Sequence, residues 1–131
     1  MYEFHGWATI RESTRDIDEG NLSAIVEKLN QQILSFKWNV GVLEIKPING
    51  AYHLIASGFT NHKSPDATQV FSLFQKIAET AKGSYGLLHV WDDENAKESN
   101  QFSVWMLARG AFLRQDDPFL SPCVPKIEDP G

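Results

Sequence analysis

The stretch Leu43-Glu44-Ile45-Lys46-Pro47-Ile48-Asn49-Gly50-Ala51-Tyr52-His53-Leu54-Ile55-Ala56 decides the architecture. Asn49-Gly50 is the preferred pair for a two-residue hairpin turn, because both central positions need φ > 0. Apolar residues alternate with polar ones on each side of it, so residues 38–46 and 51–60 are predicted as antiparallel strands.

Working outward, Tyr2, Phe4, Ala8 and Ile10 alternate with Glu3, His5, Thr9 and Arg11, which predicts a strand over residues 2–11 with Trp7 on its polar face. Leu22, Ile25, Val26, Leu29 and Ile33 recur at helical spacing and predict a helix over residues 17–35. Asp16, Asp18 and Glu19 stand at its N-terminal end, where the helix dipole favours negative charge. A second helix follows Ser64-Pro65-Asp66, with Ser64 as cap and Pro65 in the first turn. Val70, Phe71, Phe74, Ile77, Ala78 and Ala81 form its apolar stripe, and Lys82-Gly83 ends it. Two more β segments, 85–91 and 101–109, flank the polar stretch Asp92 to Asn100.

The predicted order is β-α-β-β-α-β-β. The economical packing is an α+β domain: one mostly antiparallel sheet with both helices on one face. Residues 1–114 are expected to form that domain. Residues 115–131 contain prolines 118, 122, 125 and 130. They are expected to be an irregular tail, anchored by Phe119 and Leu120 and frayed at its end.

The chain has 131 residues, 42 % of them hydrophobic, and a net charge of −5. A domain of this size closes a core without disulfides or metal, and the single cysteine, Cys123, cannot form an internal disulfide. The N-terminus lacks the basic-then-apolar pattern of a secretory signal. No window approaches the length of a membrane-spanning helix. The expected compartment is the cytosol, with no membrane partner. The acidic balance argues against nucleic acid, whose binding is driven by basic residues.

Catalytic apparatus is hard to find. His5, His53 and His89 fall on strands without ligand spacing, so they read as half-buried, hydrogen-bonded residues and no metal site is expected. Glycines form no phosphate loop, and serines no nucleophile elbow. Cys123 lies between Pro122 and Val124-Pro125, a poor setting for holding a thiolate. The expected protein is not an enzyme and uses no cofactor.

The distinctive cluster is Trp91-Asp92-Asp93-Glu94, where an aromatic strand end runs into three acids. Asp116-Asp117 is a second acidic pair. Their bland reading is a solvated loop over a buried Trp91; the functional one is a contact surface for a basic protein. Trp7, Trp38, Trp91 and Trp105 add a second possibility. Indoles on the uncovered sheet face, around Trp7 and Trp105, can anchor a partner, or the tail can fold over them through Phe112 and Phe119.

Three segments carry a family resemblance: Tyr2-Glu3-Phe4-His5-Gly6-Trp7-Ala8-Thr9-Ile10, His89-Val90-Trp91-Asp92-Asp93-Glu94, and Phe102-Ser103-Val104-Trp105-Met106-Leu107-Ala108-Arg109-Gly110. Together they resemble the immunity protein seven family of bacterial polymorphic toxin systems, over about residues 1–120. The resemblance implies an α+β immunity protein that stays in the cytosol and neutralises a secreted toxin domain by direct binding; such toxins are often nucleases, and many are basic. It carries no residue-level contact assignment, so Trp91, Asp92, Asp93, Glu94, Asp116 and Asp117 are partner-binding candidates on charge and position alone. The competing reading is a small-molecule-binding or regulatory ferredoxin-like domain. Oligomeric state is not encoded in any of these patterns.

Overall fold

A computed structural model of the chain describes residues 1–14 and 20–124. Six antiparallel strands form one sheet in the order β2-β3-β1-β4-β5-β6. The strands are β1 (Tyr2–Ile10), β2 (Gly41–Ile48), β3 (Ala51–Thr60), β4 (Tyr85–Asp92), β5 (Ser103–Ala108) and β6 (Ala111–Asp116); the helices are α1 (Leu22–Ser35) and α2 (Pro65–Thr80). Strands β1 to β4 and the two helices make a split β-α-β-β-α-β core of the ferredoxin-like kind. Strands β5 and β6 extend it beyond β4.

The hairpin turns where the sequence places it. Asn49 has φ 51° and Gly50 φ 83°, the two positive values that a type I′ turn needs. Strand β2 reaches Ile48, further than expected. Its Pro47 is tolerated because β2 is an edge strand, where a missing N–H breaks no second ladder.

Both helices lie on one face. Tyr2, Phe4, Ala8 and Ile10 of β1 share one buried cluster with Val26 and Leu29 of α1 and with Val70, Leu73, Phe74 and Ile77 of α2. Gly6 makes room for that contact. A Cβ built there would stand 2.8 Å from Leu88 Cδ1 and 3.1 Å from Phe74 Cζ.

Several local expectations change. Helix α1 begins at Leu22, after Gly20 with φ 85°; Asp16, Asp18 and Glu19 lie outside the described residues. Ser64 precedes α2 in an extended conformation, but its hydroxyl donates to Asp66 Oδ2 at 2.8 Å and does not cap the helix. A sixth strand, β6, follows a second tight turn at Arg109-Gly110, φ 51° and 77°. It carries regular structure to Asp116, into the stretch expected as tail.

The tail's anchor also differs. Phe119 is 73 % exposed. The segment is held instead by polar bonds to the loop 93–102. Asn100 Nδ2 donates to Val124 O and Asn100 Oδ1 accepts from Val124 N–H, both at 2.7 Å. Cys123 N–H donates to Asn100 O, and Phe102 N–H donates to Ser121 Oγ. Cys123 is completely buried with Trp91 and Phe102 in a small second cluster.

Candidate functional site

Strand register brings the two acidic clusters to one end of the sheet. Asp92 lies opposite Tyr2, which lies opposite Thr60. Asp116 lies opposite Ser103, which lies opposite Val90, two residues before Asp92. Trp91 is 9 % exposed; its indole N–H donates to Ser99 O at 2.9 Å and its ring packs on Phe102. It therefore pins the loop from below and offers little surface.

The acids above it are held in a defined geometry. Asp92 Oδ1 accepts from Glu94 N–H and closes a tight turn. Asp93 Oδ1 accepts from the Met1 ammonium at 2.7 Å, while Glu94 Oε1 meets His62 Nδ1 at 2.5 Å. The Asp93 hydrogen bond, with Coulomb support from Asp93, Glu94 and Asp92, holds the terminal amine above its ordinary pKa despite the opposing effect of desolvation. Burial, helped by the Asp92 charge, pushes Tyr2 up to about 12. Asp93 and Glu94 stay accessible, with side chains 41 % and 51 % exposed.

Asp116 is exposed at the end of β6. Asp117 accepts from the Phe119 and Leu120 N–H groups and from Ser121 Oγ, so it orders the turn into the tail. Burial alone would raise its pKa. Hydrogen bonds from Phe119, Ser121 and Leu120, with the charge on His89, outweigh that and hold it below the usual value. Glu98 pairs with Arg114 across the same end. A cleft of about 130 Å³ lies there, between Asp92, Glu98, Lys63 and Arg114.

The histidines do not converge as ligands. His5 and His89 are cross-strand neighbours. His5 bonds Glu3 at 2.8 Å and Ser57 at 3.2 Å, and His53 bonds Thr9 at 3.3 Å. Among the described residues, no three His, Cys, Asp or Glu side chains sit close enough to hold a metal ion.

The tryptophans divide. Trp7 stands on the helix-free face, 46 % exposed, edge-on to Tyr85 at 6.1 Å. Trp105 does not share that face, contrary to expectation. Its register partner is Leu88, and it packs on Phe71 and Phe112 beneath the helices. Val104, Trp105, Met106 and Leu107 are all apolar, so alternation could not assign the face.

The sequence reading also missed a row that crosses the open face. Glu44, Ile55, Trp7, Leu87, Met106 and Leu113 are successive register partners from β2 to β6. The apolar doublet Leu87-Leu88 was the available signal: one member must turn away from the helices.

Fold and site together define a small α+β domain with both described helices on one sheet face and an acidic end. The model of the Immunity protein 7 family matches residues 1–129, and the chain belongs to that family. Neither a curated protein nor a solved structure matches it. Membership implies an immunity protein against a toxin, and therefore a toxin protein as partner; proteins of this kind are generally not enzymes. Among the described residues, no helix is long and apolar enough to cross a membrane.

Proposed function

We propose that this chain is the cytosolic immunity protein of a bacterial polymorphic toxin system, and that it neutralises a basic secreted toxin domain by binding it, without catalysis of its own. The observation that carries the reading is the convergence of two acidic clusters, 92–94 and 116–117, at one end of the sheet. An accessible acidic surface steers a basic partner and raises its association rate. Asp92, Asp93, Glu94, Asp116 and Asp117 supply the field. Trp91 holds the loop that carries three of them. A nuclease fits this partner chemistry, because a groove that binds nucleic acid is itself basic.

The test is binding of the toxin domain encoded beside the chain's own gene. The wild type should co-purify with it and protect cells that express it. The variant Asp92→Asn, Asp93→Asn, Glu94→Gln should associate more slowly and with a flatter salt dependence, its fold unchanged. Equal association rates for wild type and variant at every ionic strength would place the contact elsewhere.

A further inference from the structure

The helix-free face of the sheet is organised in rows. The central row holds Ile55, Trp7, Leu87, Met106 and Leu113, apolar on every strand from β3 to β6. Trp7, Met106 and Leu113 are exposed, Leu113 by 55 %. On one side lie Ser57, His5, His89 and Gln115, interrupted by the buried Val104 and ending at Val42 on the edge strand; on the other lie Lys46, His53, Thr9 and Tyr85. An apolar stripe between mostly polar margins is the anatomy of a protein interface, with a desolvated centre and a solvated rim. Single exposed apolar residues need no explanation, but a contiguous patch does.

Part of this face is already covered. The segment 117–124 folds over its acidic end, where Cys123 seats on Trp91 and Phe102. Among the described residues this cover does not extend to Trp7, Met106 and Leu113, which stay exposed, as do the acids Asp93 and Glu94.

Resting on the function proposed above, we infer that this open face is the hydrophobic centre of the toxin interface, with Trp7 as its central anchor, and that the toxin docks flat across β3, β1, β4, β5 and β6 while its basic groups meet the acidic end. Two arguments select this occupant. The first is charge. On the strands' open side Glu3 and Glu44 stand against Lys46, and the accessible Asp93 and Glu94 follow the end of β4. That surplus favours a basic partner over a second copy of an acidic chain of net charge −5. The second is size. With five strands about 4.8 Å apart and three rows of side chains, the face projects on the order of 500 Å². Its side-chain relief brings it close to the roughly 800 Å² per partner of a standard interface.

The experiment measures binding of the neighbouring-gene toxin domain to the full chain and to two variants. One is Trp7→Ser; the other combines Met106→Lys with Leu113→Lys, at exposed positions where folding tolerates charge. Circular dichroism and melting temperature confirm the fold. Both variants should bind at least about 100-fold more weakly, through faster dissociation, as loss of interface anchors does. The salt dependence of association should persist in Trp7→Ser, because its acidic end is intact. Folded variants that bind like wild type overturn the inference and leave the proposed function standing. A wild type that neither binds nor protects removes the proposed function itself. Sedimentation that changes from dimer to monomer in the lysine pair assigns the face to a second copy and overturns the inference. Tighter toxin binding by a chain ending at Val124 assigns it to the protein's own C-terminal residues, with the same consequence.

Discussion

The two faces of this sheet carry similar amounts of apolar side chain but meet different surroundings. On the helix side, Phe4, Ala8, Leu54, Leu88 and Leu107 are almost fully buried, closed over by Leu29, Leu73, Phe74 and Ile77. On the other side, Trp7, Met106 and Leu113 remain in contact with water. The same residue types thus have opposite consequences. Buried, a Leu or Phe stabilises the fold by about 1.5–3 kcal/mol relative to exposure. Exposed, it contributes little to folding and leaves that free energy available to a partner. The difference separates residues that make the domain from residues that let it act.

Truncation is the sharpest way to break this comparison. Phe74→Ala should destabilise the domain by about 3–5 kcal/mol, since it opens a cavity beneath Gly6, Leu88 and the stacked ring of Phe112. Leu113→Ala on the open side should stay within about 0.5 kcal/mol. Urea unfolding monitored by tryptophan fluorescence measures both. Similar costs for the two would mean that the open face is covered in the free protein.

Filling is the complementary test. Gly6→Ala adds a methyl at the tightest point between β1, β4 and α2, inside normal contact distance of Leu88 Cδ1. Overpacking of this kind costs about 1–3 kcal/mol. Because residue 6 faces the helices, toxin affinity should not change. Reduced affinity without loss of stability would show that the two faces are coupled.

Much of the fold was legible, for physical reasons that differ by element. The Asn49-Gly50 turn announces itself because few residue pairs accept two positive φ values. Strand β1 was clear because one of its faces is buried and the other is polar. Trp105 was not legible. Strand β5 is apolar on both faces, and only its pairing with β4 decides that Trp105 lies beneath the helices while Met106 faces out. Strand β6 was missed because Arg109-Gly110 is a weaker turn signal than Asn-Gly, and the prolines after it suggested irregular chain. The acidic clusters were visible as sequence, but their meeting at one end depends on which strands are neighbours. The apolar row is a property of register alone, since its members come from five separate strands.

A smaller effect separates the sheet from the segment that covers its acidic end. Asn100 bonds both backbone groups of Val124 through its side-chain amide. Asn100→Ala removes the pair, and two ordinary hydrogen bonds contribute about 1–3 kcal/mol between them. The loss should be local, because the main core makes no use of this amide. Amide exchange at Cys123 and Val124 should accelerate about 5- to 150-fold while that of Leu54 and Leu88 is unchanged. Equal acceleration in both places would make the segment an integral part of the cooperative fold.

The smallest effect is one of pH at the same segment. Asp117 has a depressed folded pKa, so in the unfolded chain it takes up its proton at higher pH, near about 3.9. Its contribution is therefore fully present above that value and is lost as pH falls through the folded pKa. The group is part-buried at the surface, where solvent still screens it, so the discounted magnitude is about 1 kcal/mol or less. The turn it orders, through Phe119, Leu120 and Ser121, should loosen as pH falls below about 4. Asp117→Asn keeps one acceptor oxygen but cannot carry the charge. Once pH has fallen through the folded pKa the wild type and this variant should converge in amide exchange at Leu120, and above about pH 5 the wild type should be slower. A constant difference across that range would show that the carboxylate's shape, and not its charge, holds the segment over the end of the sheet.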